Sequence, residues 1–251
     1  MEYMGLFWFA FIALAVVAIF IIAYVTHQRN KKLWARWSKA RNWVFHEKWP
    51  EMARTFRGGP FNTGSGRRAS FGYEGTFDGL PVHGFNYQYS TGSGDDRRTH
   101  YFHVDVLRLG GRFPRLEIGR ENWATRTFSG DIQFEDAQFN REWRIKGESP
   151  RFAHDVVHPR MMAWLQSGEV PEFSELWFEN GCLLVATSGS RKPDEVDTYL
   201  RLLTRFASQL PPFLLAEVGL GRLPITWNGP GVTPEEQARR IAELAAQEEQ
   251  G

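Results

Sequence analysis

Histidine pairs offer the first candidate chemistry in this chain. His154 and His158 stand four apart, the interval that sets two imidazoles on one helix face for a metal ion, but Pro159 follows directly. A residue before proline is biased away from helical geometry, so His158 is expected to end one helix or enter the next rather than complete a chelating pair. His100 and His103 are three apart in an extended stretch and point to opposite faces, so they cannot hold one ion without a bulge. No full set of four zinc ligands at standard spacing occurs, and no metal or cofactor site is assigned. Cys182, the single cysteine, lies in Cys182-Leu183-Leu184-Val185-Ala186, where it reads as a small hydrophobe of a buried strand rather than a nucleophile.

The other constellations are weaker. The glycine-rich stretch over 57–68, with Arg67 and Arg68 at its end, could cradle a phosphate, yet it lacks the lysine and helix start of a P-loop and the dinucleotide fingerprint. A flexible connection is the favoured reading. Asp95-Asp96-Arg97-Arg98 reads as solvated loop charge, and Arg67-Arg68-Ala69-Ser70 matches a basic-directed phosphorylation sequence only at the level of chance. Nothing resembles a nucleophile elbow, a kinase signature or a spaced carboxylate pair, so no catalytic residue is assigned.

The element that must position everything else is at the N-terminus. Residues 4–25 are uncharged and apolar, and Arg29, Lys31, Lys32, Arg36, Lys39 and Arg41 follow with no acid among them. At about 1.5 Å per residue such a helix matches a hydrocarbon core of roughly 30 Å. A signal peptide fits worse, because Glu2 precedes the run and Tyr24-Val25-Thr26-His27 is no small-residue cleavage site. A core helix fits worse too, since the run is apolar all round. The expected partner is the lipid bilayer. The basic block predicts that the following domain faces the cytoplasm, and its six cations are the candidate contacts to anionic lipid. Trp34, Trp37 and Trp43 fall within or beside this block and could lie on the membrane interface or in a soluble core.

Composition bounds the remainder. Roughly 225 residues follow the anchor, enough for one sizeable domain or two small ones. An aromatic content of 15% supplies a real core, and a net charge of +1 argues against a nucleic-acid partner. With one cysteine no intramolecular disulfide forms, which agrees with a cytosolic domain.

Alternating patterns predict strands over 70–77, 82–89, 100–109, 116–118 and 139–145, and a hairpin over 172–187. Asp78-Gly79 and Asn180-Gly181 are the tight turns. Ser149-Pro150 opens a helix, a second runs over 159–167, and the strongest follows Pro193 with Val196, Leu200, Leu203, Ala207 and Leu210 on one face. Trp, Pro and Ala recur at an offset of 100 between 43–53 and 143–153, each in a strand followed by a proline-opened helix and later a hairpin. This raises a duplication of 43–120 and 139–212 as one alternative for the architecture. The expected organisation is an anchor over 1–28, a basic segment over 29–42, an α+β domain over 43–218, a linker over 219–232 and a charged helix over 233–251.

The stretch from Trp43 through Leu210, with its Arg-Gly-Gly-Pro-Phe loop, the Phe85-Asn86-Tyr87-Gln88-Tyr89 strand, the Thr-Gly-Ser-Gly-Asp-Asp loop and Phe152-Ala153, resembles a group of actinobacterial single-pass membrane proteins of unknown function. The resemblance implies a cell-membrane location and carries no activity, ligand or catalytic residue. The functional expectation is a membrane-anchored protein with a cytoplasmic binding or scaffolding domain and a membrane or cytosolic protein partner. The alternatives are a membrane-tethered hydrolase or transferase and an anionic-lipid surface sensor.

Overall fold

The computed structural model describes residues 2–120 and 131–224 of the 251-residue chain. The expected C-terminal helix over 233–251, and the expected linker beyond residue 224, lie outside the described residues.

Helix α1 spans Glu2–Ala40 without a proline, 39 residues in one element. It is about 58 Å long at the standard rise. Its side chains over 11–25 are exposed and meet no other part of the protein. Farther along, the same helix turns a face onto the domain and buries Trp34, Trp37 and Ser38. It stops where Asn42 takes a left-handed conformation, φ 57°, and Trp43 N–H returns to the Ser38 carbonyl at 2.8 Å.

The domain is α+β, built on one eight-stranded antiparallel sheet. Its strands are β1 (Val44–Lys48), β2 (Ser65–Phe77), β3 (Leu80–Thr91), β4 (Arg98–Arg108), β5 (Leu116–Arg120), β6 (Trp143–Gly147), β7 (Glu175–Glu179) and β8 (Cys182–Ser188). They are ordered β1-β2-β3-β4-β8-β7-β5-β6. The two tight turns form where expected, with φ of 47° and 79° at Asp78-Gly79 and 52° and 72° at Asn180-Gly181.

Alternation along the strands divides the interior in two. On one face Tyr73, Val82, Leu107, Ile118 and Leu183 meet the docked end of α1 and helices α3 (Pro150–Val156), α4 (Pro159–Gln166) and α5 (Val196–Ser208). The second face buries Phe85, Tyr87, Val104, Val106, Trp177 and Leu184 beneath Phe56 and Phe61. Both faces of the middle of β3 and of the second half of β4 are therefore covered, so His103 and Asp105 between the apolar residues of β4 are not solvent-facing.

Two local expectations change. The stretch over 139–145 begins as a helix, because the Asp136 carboxylate accepts from Gln138 N–H at 2.8 Å and Phe139 N–H at 3.0 Å and starts α2 (Ala137–Glu142). The strand begins only at Trp143. The glycine-rich stretch is not a loose connection: Arg57 and Gly58 N–H donate to the Glu179 carboxylate at 2.7 and 2.9 Å, and Phe61 is buried. The Trp43 and Trp143 segments do each give a strand and then a proline-opened turn or helix, at opposite edges of the sheet. Their settings differ, since β1 meets the β2–β3 hairpin directly while β5 stands between β6 and the β7–β8 hairpin.

Candidate functional site

Under the docked end of α1 lies a cluster of buried polar side chains drawn from four neighbouring strands and one connection. His103 and Asp105 occupy alternate positions of β4, with Asn86 opposite His103 on β3. His103 Nδ1 lies 2.7 Å from Asn86 Oδ1 and its Nε2 lies 3.0 Å from Asp105 Oδ1. The Tyr73 hydroxyl of β2 donates to Asp105 Oδ1 at 2.6 Å. Arg191, from the connection after β8, donates to Asp105 Oδ2 and to the Thr187 hydroxyl, while its backbone N–H reaches Asn86 Oδ1 at 3.3 Å. Tyr73 reaches across because its strand partner is Gly84, where a Cβ would sit 2.6 Å from the Tyr73 ring.

Electrostatics keep this cluster ionised at its centre. Burial alone would raise the Asp105 carboxyl, but the His103 and Arg191 charges and the hydrogen bonds from His103 and Tyr73 hold it below the usual carboxylate range. Burial lowers the His103 imidazole, against the pull of Asp105. The Tyr73 phenol is pushed well up, by burial first and then by the Asp105 charge. Trp34 closes the top, stacked at 5.7 Å on His103 and 6.2 Å on Tyr73. His103 and Asp105 are wholly buried. The polar atoms of His103, Asp105 and Tyr73 answer one another and line none of the cavities, whereas Asn86 and Arg191 at the edge of the cluster also border the open space beside Trp34, so the arrangement locks strands, connection and helix together.

Open space lies beside this lock. A cavity of about 750 Å³ is bounded by His27 of α1, the end of β1, the turn Pro50–Arg54 and the start of β2. A second, of about 430 Å³, lies between Asn30, Leu33 and Trp34 of α1 and the connection over 190–193. The two share Ser70, Phe71 and Gln88. Phe71 sits in an irregularity of the β2–β3 register, at φ 49°, and its ring meets His27 at 5.3 Å. A bulge of this kind re-aims one side chain, here into the wall between the cavities.

The cations named from sequence separate in space. Lys31 pairs with Glu47 of β1 at 2.5 Å, joined by His27 at 3.1 Å. Arg41 is spent on the domain: it pairs with Asp197 of α5 at 2.5 Å and lies over the Trp37 and Trp43 rings at 4.5 and 5.4 Å. Arg29, Lys32, Arg36 and Lys39 are exposed. Trp34 and Trp37 are core residues, 2% and 1% exposed, which decides between the two sequence readings.

Among the histidines, His158 caps α4 by accepting from Met161 N–H at 3.3 Å, and His100 reaches Thr91 on the opposite face from His103. No group of three or more His, Cys, Asp or Glu suited to a metal ion occurs among the described residues. Cys182 is buried, and burial pushes its thiol up. The Asn86, His103 and Asp105 cluster escaped the sequence reading because those residues looked like the polar face of half-buried strands. The signal was their shared face, visible once β3 and β4 are put in register.

No family model matches the chain, and no curated protein matches it. The crystal structure of the mycobacterial trehalose monomycolate transport factor A, TtfA, superposes with a TM-score of 0.52 at 15% identity. The likeness is one of fold. It covers 77% of this chain and 97% of that chain, and the mycobacterial origin of TtfA agrees with the actinobacterial resemblance of the sequence.

Proposed function

We propose that this protein is a membrane-anchored binding factor, facing the cytoplasm, that assists the handling of envelope lipids at the bilayer surface. The observation that carries the reading is the continuity of α1, which passes without a break from an exposed apolar segment into the buried Trp34 and Trp37 contacts. A span joined in this way holds the domain against the membrane instead of letting it range on a linker. The cytoplasmic side is supported by the basic residues behind the span. Of these, Arg29, Lys31 and Lys32 lie within about 10 Å of the end of the apolar run, whereas Arg41 is about 24 Å away. Anionic-lipid contact is accordingly assigned to the first three.

A role in lipid handling is supported by the fold shared with a trehalose monomycolate transport factor and by cavities that open where the helix leaves its apolar segment. Binding is favoured over catalysis because the ionisable pair at the centre of the cluster, His103 and Asp105, is wholly buried beneath Trp34. The test is depletion in the native cell followed by pulse-labelling of envelope glycolipids. The expected result is accumulation of newly made glycolipid in the inner membrane, and an unchanged distribution between inner membrane and outer envelope would overturn the proposal.

A further inference from the structure

The larger cavity has the lining and the position of a lipid-headgroup site. Its volume of about 750 Å³ falls in the usual range for small-molecule pockets. Lys48, Arg54, Arg67 and Arg68 line it, and none of the four has a carboxylate within ion-pair distance among the described residues. Arg67 is held instead by the Thr63 and Gly64 carbonyls, both at 3.3 Å, which leaves its charge uncompensated. Two carboxylates also line the cavity, but Glu47 is engaged by Lys31 and His27, leaving Glu51 as the counter-charge. The cavity is thus positive, and guanidinium groups are well matched to phosphate oxygens.

Apolar side chains lie among these cations. Pro50, Ala53, Ala69 and Phe71 also line the cavity, and the bulge in β2 turns Phe71 toward α1. Depth supplies the remaining argument. His27 lines the cavity and follows the last apolar residue, Val25, by two positions, about 3 Å along a helix axis. The cavity mouth therefore stands at the headgroup layer when residues 4–25 span the bilayer.

We propose that this cavity binds the headgroup of an anionic phospholipid drawn from the adjoining leaflet. The phosphodiester meets Arg54, Arg67, Arg68 and Lys48, and the glycerol and first methylenes lie against Phe71. The assignment rests on the reading of α1 as a membrane span. It goes beyond surface attraction to the basic residues of α1, because it places the recognising charges on the turn Pro50–Arg54 and on the strands it lies between.

The test uses the full chain in detergent micelles, with bound lipid counted by native mass spectrometry. Phosphatidylglycerol is expected to be retained at one molecule per protein, and phosphatidylcholine much less. Arg67→Gln combined with Arg68→Gln is expected to weaken retention at least about tenfold, as loss of charge-assisted contacts implies. The Arg141→Gln, Arg160→Gln pair, which removes the same charge from exposed positions outside the cavity lining, is expected to keep the bound molecule. Equal retention of phosphatidylcholine, or undiminished binding by the cavity variant, would overturn the site. Displacement of the lipid by equimolar inorganic phosphate would reduce it to an anion site and overturn the lipid assignment. Flotation with liposomes separates the two levels: protein that floats but retains no phosphatidylglycerol removes the cavity site alone, whereas protein that does not float removes the anchor.

Discussion

A partly buried carboxylate of the sheet gives the clearest residue-scale consequence. Glu175 of β7 is raised from 4.5 to about 7, by burial first and then by the neighbouring Glu117, with Arg144 at 3.5 Å opposing. Between those two values the folded protein holds a proton that the unfolded chain releases, so stability falls as pH rises through this window. Glu175→Gln is expected to match the native protein near pH 4.5 and to exceed it by roughly 3 kcal/mol at pH 8, read as thermal unfolding of the full chain in micelles across that range. His83 acts in the opposite sense. Burial lowers its imidazole from 6.5 to about 4, so its contribution is complete above 6.5 and is lost as pH falls toward 4. For that reason the comparison of variant with native protein, and not the native profile, isolates Glu175. Equal stability of the two at pH 8 would show that the carboxylate ionises freely in the fold. Neither group was legible in sequence. Glu175 sits in a strand with apolar neighbours, and nothing local reveals that Glu117 comes beside it through the β5–β7 pairing.

Helix α1 is the element whose two halves answer to different solvents. Over 11–25 it presents exposed apolar side chains, while its second half presents one face to the sheet, with Trp34 and Trp37 inserted and Lys32 and Arg36 left outside. Trp34→Ala opens a cavity directly above His103 and Tyr73 and is expected to cost about 3–5 kcal/mol. For a domain of this size that corresponds to a melting temperature lower by about 10 °C. Leu33→Ala, at a neighbouring position 53% exposed, is expected to change stability by less than about 0.5 kcal/mol. If both variants melt with the native protein, the helix is not part of the folded unit and the domain hangs free of its anchor. The apolar half was readable from hydropathy alone, and the two hairpin turns from Asp-Gly and Asn-Gly. Docking of the basic half was not, because an aromatic stripe at helical spacing suits a membrane interface and a protein core equally. What decides it is the long-range partner: the Gly84 gap that admits Tyr73, and the Asp197 carboxylate that receives Arg41.

At the scale of the whole molecule, rigidity and orientation are linked. Because α1 enters the core, the domain and the apolar run move as one body, and under the proposed membrane anchoring every surface of the domain acquires a fixed distance from the bilayer. The β3–β4 hairpin is a useful reporter, since Ser93 is exposed beside the turn Gly94–Asp96. A cysteine placed there in a Cys182→Ala background gives one accessible thiol; Cys182 is buried among apolar side chains, where alanine substitutes with a small loss of volume. With an impermeant thiol reagent, Ser93→Cys is expected to stay unlabelled in intact cells and to react fully once the cells are opened. Labelling of intact cells would reverse the orientation drawn from the basic residues and move the search for partners to the envelope exterior. It would not disturb the cavity beside His27, whose place at the headgroup layer depends only on where the apolar run ends. The lipid test in micelles does not depend on which leaflet the domain faces, so orientation and lipid recognition can fail independently.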